Sequence, residues 1–177
     1  MKMNKFLALF LLLSTTSIFA AETPAVAIPK SVLDIHTAAC PEFSKPENAD
    51  FFQRTVVKLP GNEYGPGPTL YLLGCEMYAY NSMERAYLAD AYSVTLVAVS
   101  EVGSDKLVTG TANLMGSTFD PATNTLGTTQ LGRGMGDCGS SALYAYDAFK
   151  RQFVLTEARV KDSCDGQYSE WPVVYKK

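Results

Sequence analysis

Leu131-Gly132-Arg133-Gly134-Met135-Gly136-Asp137-Cys138-Gly139, followed by two apolar runs and then Cys164-Asp165-Gly166, is the stretch on which the reading of this chain turns. Glycine tolerates positive φ and close backbone approach, so glycines at alternate positions beside a cysteine predict a backbone folded tightly about a disulfide. That is an architectural signal, and it names no reaction. Residues 142–149 and 153–160 after it form a hairpin pattern across Lys150-Arg151, and Val173-Val174-Tyr175 supplies a last strand.

Upstream, Arg54-Thr55-Val56-Val57-Lys58-Leu59 reads as a first strand and residues 69–75 as a second. The prolines and glycines of residues 60–68 between them cannot continue a ladder. Residues 92–99 place Tyr92, Val94, Leu96 and Ala98 on one face and predict a third strand. Residues 78–91 fit either a helical stripe or an edge strand, with strand or irregular turn favoured. Residues 107–109 and 111–115 are shorter candidates, and residues 119–126 form a turn in which Pro121 presets φ and Asp120 can bond a downstream amide. Ser31 can cap a short helix that carries Val32, Leu33, Ile35 and His36 and stops at Cys40-Pro41. Many short β segments divided by turns predict a mainly β fold, an antiparallel β-sandwich or barrel-like single domain with a short N-terminal helix.

The start of the chain supplies an address. Lys2 and Lys5 precede an apolar stretch over residues 6–19, and Ile18-Phe19-Ala20 ends in a small residue suited to signal peptidase, with Ala21 as the rival site. The stretch falls short of the roughly 20 residues that span hydrocarbon, so a secretory signal is expected rather than a transmembrane segment. A periplasmic location follows, or full secretion. The expected organisation is a signal over residues 1–20, a flexible Ala- and Pro-rich lead-in over 21–30 and one domain over 31–177. Removing 20 of the 177 residues takes away two lysines and no acid, which moves the formal charge from −3 to −5. Nucleic acid and anionic membrane reward clustered Lys and Arg, and this chain has no such cluster.

Four cysteines in an exported chain point to two disulfides. Of the three connectivities, Cys40 with Cys75 and Cys138 with Cys164 are favoured because each pair staples neighbouring elements. No metal is expected: zinc sites want ligand pairs two to four residues apart, and His36 with Cys40 supplies half a site. No cofactor motif is present.

The element 133–139, together with Tyr146-Asp147, Phe153-Val154-Leu155, Cys164-Asp165-Gly166 and Trp171-Pro172, resembles the C-terminal signature of a bacterial exported family catalogued as domain of unknown function 1176. Cys75 followed by Ala79-Tyr80-Asn81 is similar to that family's Cys-x-x-x-Ala-Tyr-Asn segment, and Phe119-Asp120-Pro121 with Leu126 to its following turn. The resemblance implies a shared exported fold and carries no activity with it.

Chemistry is therefore weighed residue by residue. His36 is the only histidine, and Ser140 and Ser141 lack the Gly-x-Ser-x-Gly elbow, so a core or capping histidine is expected rather than a triad base. Paired cysteines are inert as nucleophiles. Glu63, Glu76, Glu84 and Asp137 are the candidates for a carboxylate hydrolase of cell-wall glycan or peptide, although sequence spacing does not bring two together. The oxygens of residues 120–124 lack the closing glutamate of a calcium loop. Arg133 and Asp137, four apart on the glycine-rich segment, can form a structural clamp or face a ligand, with the clamp favoured. Asn81 can cap a turn or reach a ligand, and Tyr78 and Tyr80 share a face if extended. With no credible catalytic set, a non-catalytic binding module is expected, with an envelope protein or a glycan as partner. Its glycine-rich loop would block or sense an envelope hydrolase.

Overall fold

The computed structural model of the protein describes residues 27–48 and 50–177. The expected signal over residues 1–20 and most of the expected lead-in over 21–30 lie outside the described residues. The fold is mainly β and antiparallel, with one short helix, α1 (Lys30–Ala39), at the N-terminal end. The first sheet has the order β1 (Arg54–Lys58), β2 (Thr69–Met77), β3 (Ser82–Ala89), β4 (Val94–Leu96), and β7 (Leu114–Met115) also pairs with β3. The second sheet runs β12 (Val173–Lys176), β11 (Gln152–Lys161), β10 (Gly139–Asp147), β9 (Thr125–Leu131), β8 (Thr118–Asp120). A separate hairpin, β5 (Val99–Val102) with β6 (Val108–Thr111), packs against β11.

The first sheet is buried on both faces, which explains why β2 reads as a nearly unbroken apolar run. Leu70, Leu72, Ala86 and Leu88 face the second sheet and meet Leu126, Ala142, Tyr144, Phe153 and Leu155. Tyr71, Leu73, Met83 and Tyr87 face the other way, against Val32 of α1, Phe43 and Phe52. The layers are thus helix, sheet, sheet. The chain changes sheets between β7 and β8, where the buried carboxylate of Glu84 accepts both the amide and the hydroxyl of Ser117 at 2.8 Å.

Both expected disulfides are present, Cys40–Cys75 and Cys138–Cys164. Cys75 is the extra residue of a bulge in the β2–β3 ladder, between the Gly74–Glu84 and Glu76–Met83 pairs. It ties the sheet to the end of α1, and the adjacent carbonyl of Gly74 accepts from His36 Nε2 at 2.9 Å. His36 is buried, its Nδ1 lies 3.1 Å from the Tyr87 hydroxyl, and its ring stands edge-on to Phe43. The lone histidine is therefore a core residue of the helix layer.

Three sequence expectations differ from the structure. The helix starts at Lys30, after Pro29 and with no side-chain cap, so Ser31 lies inside it and does not cap it. Residues 92–99 are not one strand: β4 ends at Leu96, Val97 and Val99 turn inward, and Tyr92, Leu96 and Ala98 are exposed. Residues 125–131 form β9 and pair with β10 along their whole length, where the sequence reading reaches only 125 and 126, as the end of a turn. Residues 78–91 resolve into a turn followed by β3.

Candidate functional site

The glycine-rich element is the connection from β9 to β10, at one end of the second sheet. Arg133 donates from Nε to Asp137 Oδ1 at 2.8 Å and from Nη2 to Oδ2 at 2.6 Å, a two-pronged pairing of guanidinium and carboxylate. The same Nη2 donates to the carbonyl of Cys164 at 2.9 Å, and the Gly166 amide donates to Asp137 Oδ2 at 2.6 Å. Asp137 is fully buried, and the Arg133 fork holds its carboxyl far below the usual carboxylate range. The ion pair therefore ties together the two segments that the Cys138–Cys164 link joins.

Two close approaches explain the glycines. A Cβ on Gly134 would meet the Tyr80 ring at 2.5 Å, and one on Gly139, where φ is +143°, would meet the Gln130 carbonyl at 2.0 Å. Asn81 completes the assembly: its side-chain amide donates to the Leu131 carbonyl at 3.0 Å and its side-chain oxygen accepts from the Leu131 amide at 2.7 Å. The side chain thereby pairs with β9 as a short piece of strand would. Arg133, Asp137, Asn81 and Tyr80 thus converge: the side chains of Arg133, Asp137 and Asn81 bond within the fold, while Tyr80, its ring beside Gly134, stays more than half exposed. Tyr78 is tied to Asn81 through the backbone, its amide donating to the Asn81 carbonyl at 2.8 Å, but its half-exposed side chain turns to Glu76, whose Oε2 accepts from the hydroxyl at 2.6 Å and raises the phenol's pKa.

Beside this clamp opens a cleft of about 430 Å³. Its floor is the part of the second sheet's inner face that the first sheet leaves uncovered, with Thr128, Gln130, Ser140 and Ala142, and the Cys138–Cys164 link forms one wall. Its roof is the β5–β6 hairpin, with Glu101, Val102 and Thr109. Tyr144 joins floor to roof by donating from its hydroxyl to the Ser100 carbonyl at 3.1 Å, and burial pushes that phenol up to about 12. Burial also raises the Glu101 carboxyl. On the far side of Glu101 and Gln130 a shallower hollow is bordered by Tyr78, Asn81, Asn113 and Met115. Glu101 and Gln130 line both spaces.

Glu101, Gln130 and Thr128 escaped the sequence reading. Glu101 carries little local signal, an acid between Ser100 and Val102 on a short strand, and the cleft that gives it meaning comes from long-range packing. None of Glu63, Glu76, Glu84 and Asp137 lines the cleft. Glu84 is engaged by Ser117, Asp137 by Arg133 and Glu76 by Tyr78. Among the described residues, no three His, Cys, Asp or Glu side chains gather as a metal site requires. None of their helices is long and apolar enough to cross a membrane.

A family model described as "Protein of unknown function (DUF1176)" matches residues 29–177. An uncharacterized protein of Escherichia coli strain K12, YpfG, is 28% identical over 114 residues, which cover 60% of this chain and 31% of that protein. The chain thus matches less than a third of this curated relative. No solved structure matches the chain.

Proposed function

We propose, for a chain that belongs to the DUF1176 family of proteins of unknown function, that it is exported to the bacterial envelope and works by binding, with its ligand in the cleft under the β5–β6 hairpin. The apolar segment over residues 6–19 and two disulfides support export. One observation carries the binding reading: Glu101, a carboxyl raised by burial and in no ion pair among the described residues, lines a cleft of about 430 Å³. That size lies within the roughly 300–1,000 Å³ usual for small-molecule sites. Perturbed carboxyls in clefts mark functional sites more often than chance.

In this reading Thr128, Gln130 and Ser140 offer neutral hydrogen-bonding groups from the floor, and Glu101 accepts from a ligand N–H or O–H. Arg133 and Asp137 hold the wall in place and do not touch the ligand. A partner's loop seated in the same cleft would make the chain an inhibitor or sensor of an envelope hydrolase.

The test has two arms. A carboxyl whose folded-state pKa is raised contributes its full stability below the unfolded value, near 4.5, and loses that contribution as pH rises through the folded value. Glu101→Gln is therefore expected to raise the melting temperature at pH 7, with the gain vanishing near pH 4. Amide chemical shifts recorded during titration with amines, amino acids and monosaccharides should move at Glu101, Thr128 and Gln130, and the response should disappear in Thr109→Trp, which fills the cleft mouth. Shifts that map elsewhere, or that survive Thr109→Trp, would overturn the assignment.

A further inference from the structure

At the opposite end of the sandwich from the cleft, three turns share one construction. In Asn62-Glu63-Tyr64, Asp90-Ala91-Tyr92 and Asp147-Ala148-Phe149, the side-chain oxygen of the first residue accepts the amide of the aromatic two positions on, at 2.8, 2.8 and 3.0 Å. These turns join β1 to β2, β3 to β4 and β10 to β11, and the strand register places the first two at one end of the first sheet. Side chains tie them to one another. Asn62 Nδ2 donates to the Ala148 carbonyl at 2.8 Å, and Arg151 Nη2 donates to Asp90 Oδ2 at 2.7 Å. The aromatic at each tip is nevertheless exposed: Tyr64 by 84%, Tyr92 by 97% and Phe149 by 69%.

Tyr71, Tyr87 and Tyr144 show that this chain buries tyrosine where its fold uses it. Three aromatics held out in water on turns fixed by hydrogen bonds are a different use of the residue. A ring on a fixed turn loses little freedom on binding, which is why such residues dominate recognition loops.

We propose that this end of the molecule docks a neutral polysaccharide, its pyranose rings stacked on Tyr64, Tyr92 and Phe149. Charge and exposure select the occupant. The three turns and the adjoining end of β1 carry as many acids (Glu63, Asp90, Asp147) as bases (Lys58, Lys150, Arg151), so neither an anionic polymer nor an anionic bilayer finds a field to follow. Rings this exposed do not pack on one another, so they make no continuous apolar core of the kind a protein partner buries. The apolar C–H face of a sugar matches a single ring, its hydroxyls suit polar turn neighbours, and a polymer presents such faces in succession. This site is independent of the cleft.

The experiment uses the mature oxidised protein with insoluble chitin and cellulose as probes, and soluble chitohexaose for affinity. The protein should be retained on at least one polymer and bind the soluble oligosaccharide. Tyr64→Ala/Tyr92→Ala/Phe149→Ala should weaken binding at least tenfold while melting as wild type does, and Thr109→Trp, in the cleft mouth, should bind as wild type does. Failure to bind either polymer, undiminished binding by the triple variant, or association with phosphatidylcholine vesicles in place of polysaccharide would each overturn the proposal.

Discussion

The double substitution Cys40→Ala/Cys75→Ala is expected to lower the unfolding free energy by about 4 kcal/mol, since the link closes a loop of 35 residues. That is a large part of the roughly 5–15 kcal/mol that holds a domain together. The loss should be structurally polarised. α1 has ten residues, no side-chain cap at its start, and buries only Val32 and His36, and an isolated helix of that length is marginal in water. Amide exchange should therefore quicken first across α1, while the core between the two sheets, built from Leu70, Leu72, Leu126 and Tyr144, stays protected. Urea unfolding followed by exchange mass spectrometry reads both effects. Uniform quickening across both sheets would show that the helix layer is not a separable addition.

His36→Ala is expected to cost about 3 kcal/mol, because it opens a cavity beside Phe43 and takes the imidazole from the Gly74 carbonyl and the Tyr87 hydroxyl in the core. The same residue gives stability a pH dependence of known sign. Burial lowers the His36 pKa from 6.5, so the folded state holds the ring neutral while the unfolded chain takes up a proton. This contribution is complete above pH 6.5 and is lost as pH falls toward the folded value. His36→Phe should remove that acid-side decline, whatever it does to stability at neutral pH. Denaturant midpoints between pH 5 and 8 for wild type and His36→Phe test this, and parallel curves would contradict it.

What the sequence shows and hides follows from where its signals are local. β2 reads clearly because Leu70 to Leu73 form an unbroken apolar run and β11 because Phe153, Val154, Thr156 and Val160 suit a strand, and the disulfide pairs read because each links segments that adjoin in the chain order. β9 does not read as a strand, because its inward positions after Leu126 are Thr128 and Gln130, which line a cleft instead of a core. An open site erases the apolar alternation that announces a strand. The face of residues 92–99 misleads for another reason: Val97 and Val99 are apolar on the opposite parity, and the chain leaves the first sheet after Leu96. The clustering of Asn81, Tyr80, Arg133 and Asp137 is partly legible from motif and spacing. Glu101, about 30 residues upstream on a hairpin of its own, joins the site only through packing.

Arg133 and Asp137 form an internal clamp over the Cys138–Cys164 link and so maintain the cleft wall. Urea unfolding of wild type, Arg133→Ala, Cys138→Ala/Cys164→Ala and the combined variant addresses this most directly. Arg133→Ala should be strongly destabilising, because it leaves the buried Asp137 carboxylate without its fork. Its effect should shrink once the disulfide is gone, since both hold the same two segments together. Arg133→Ala unfolding at the wild-type midpoint would contradict the clamp and return that guanidinium to the surface as a group free to meet a partner.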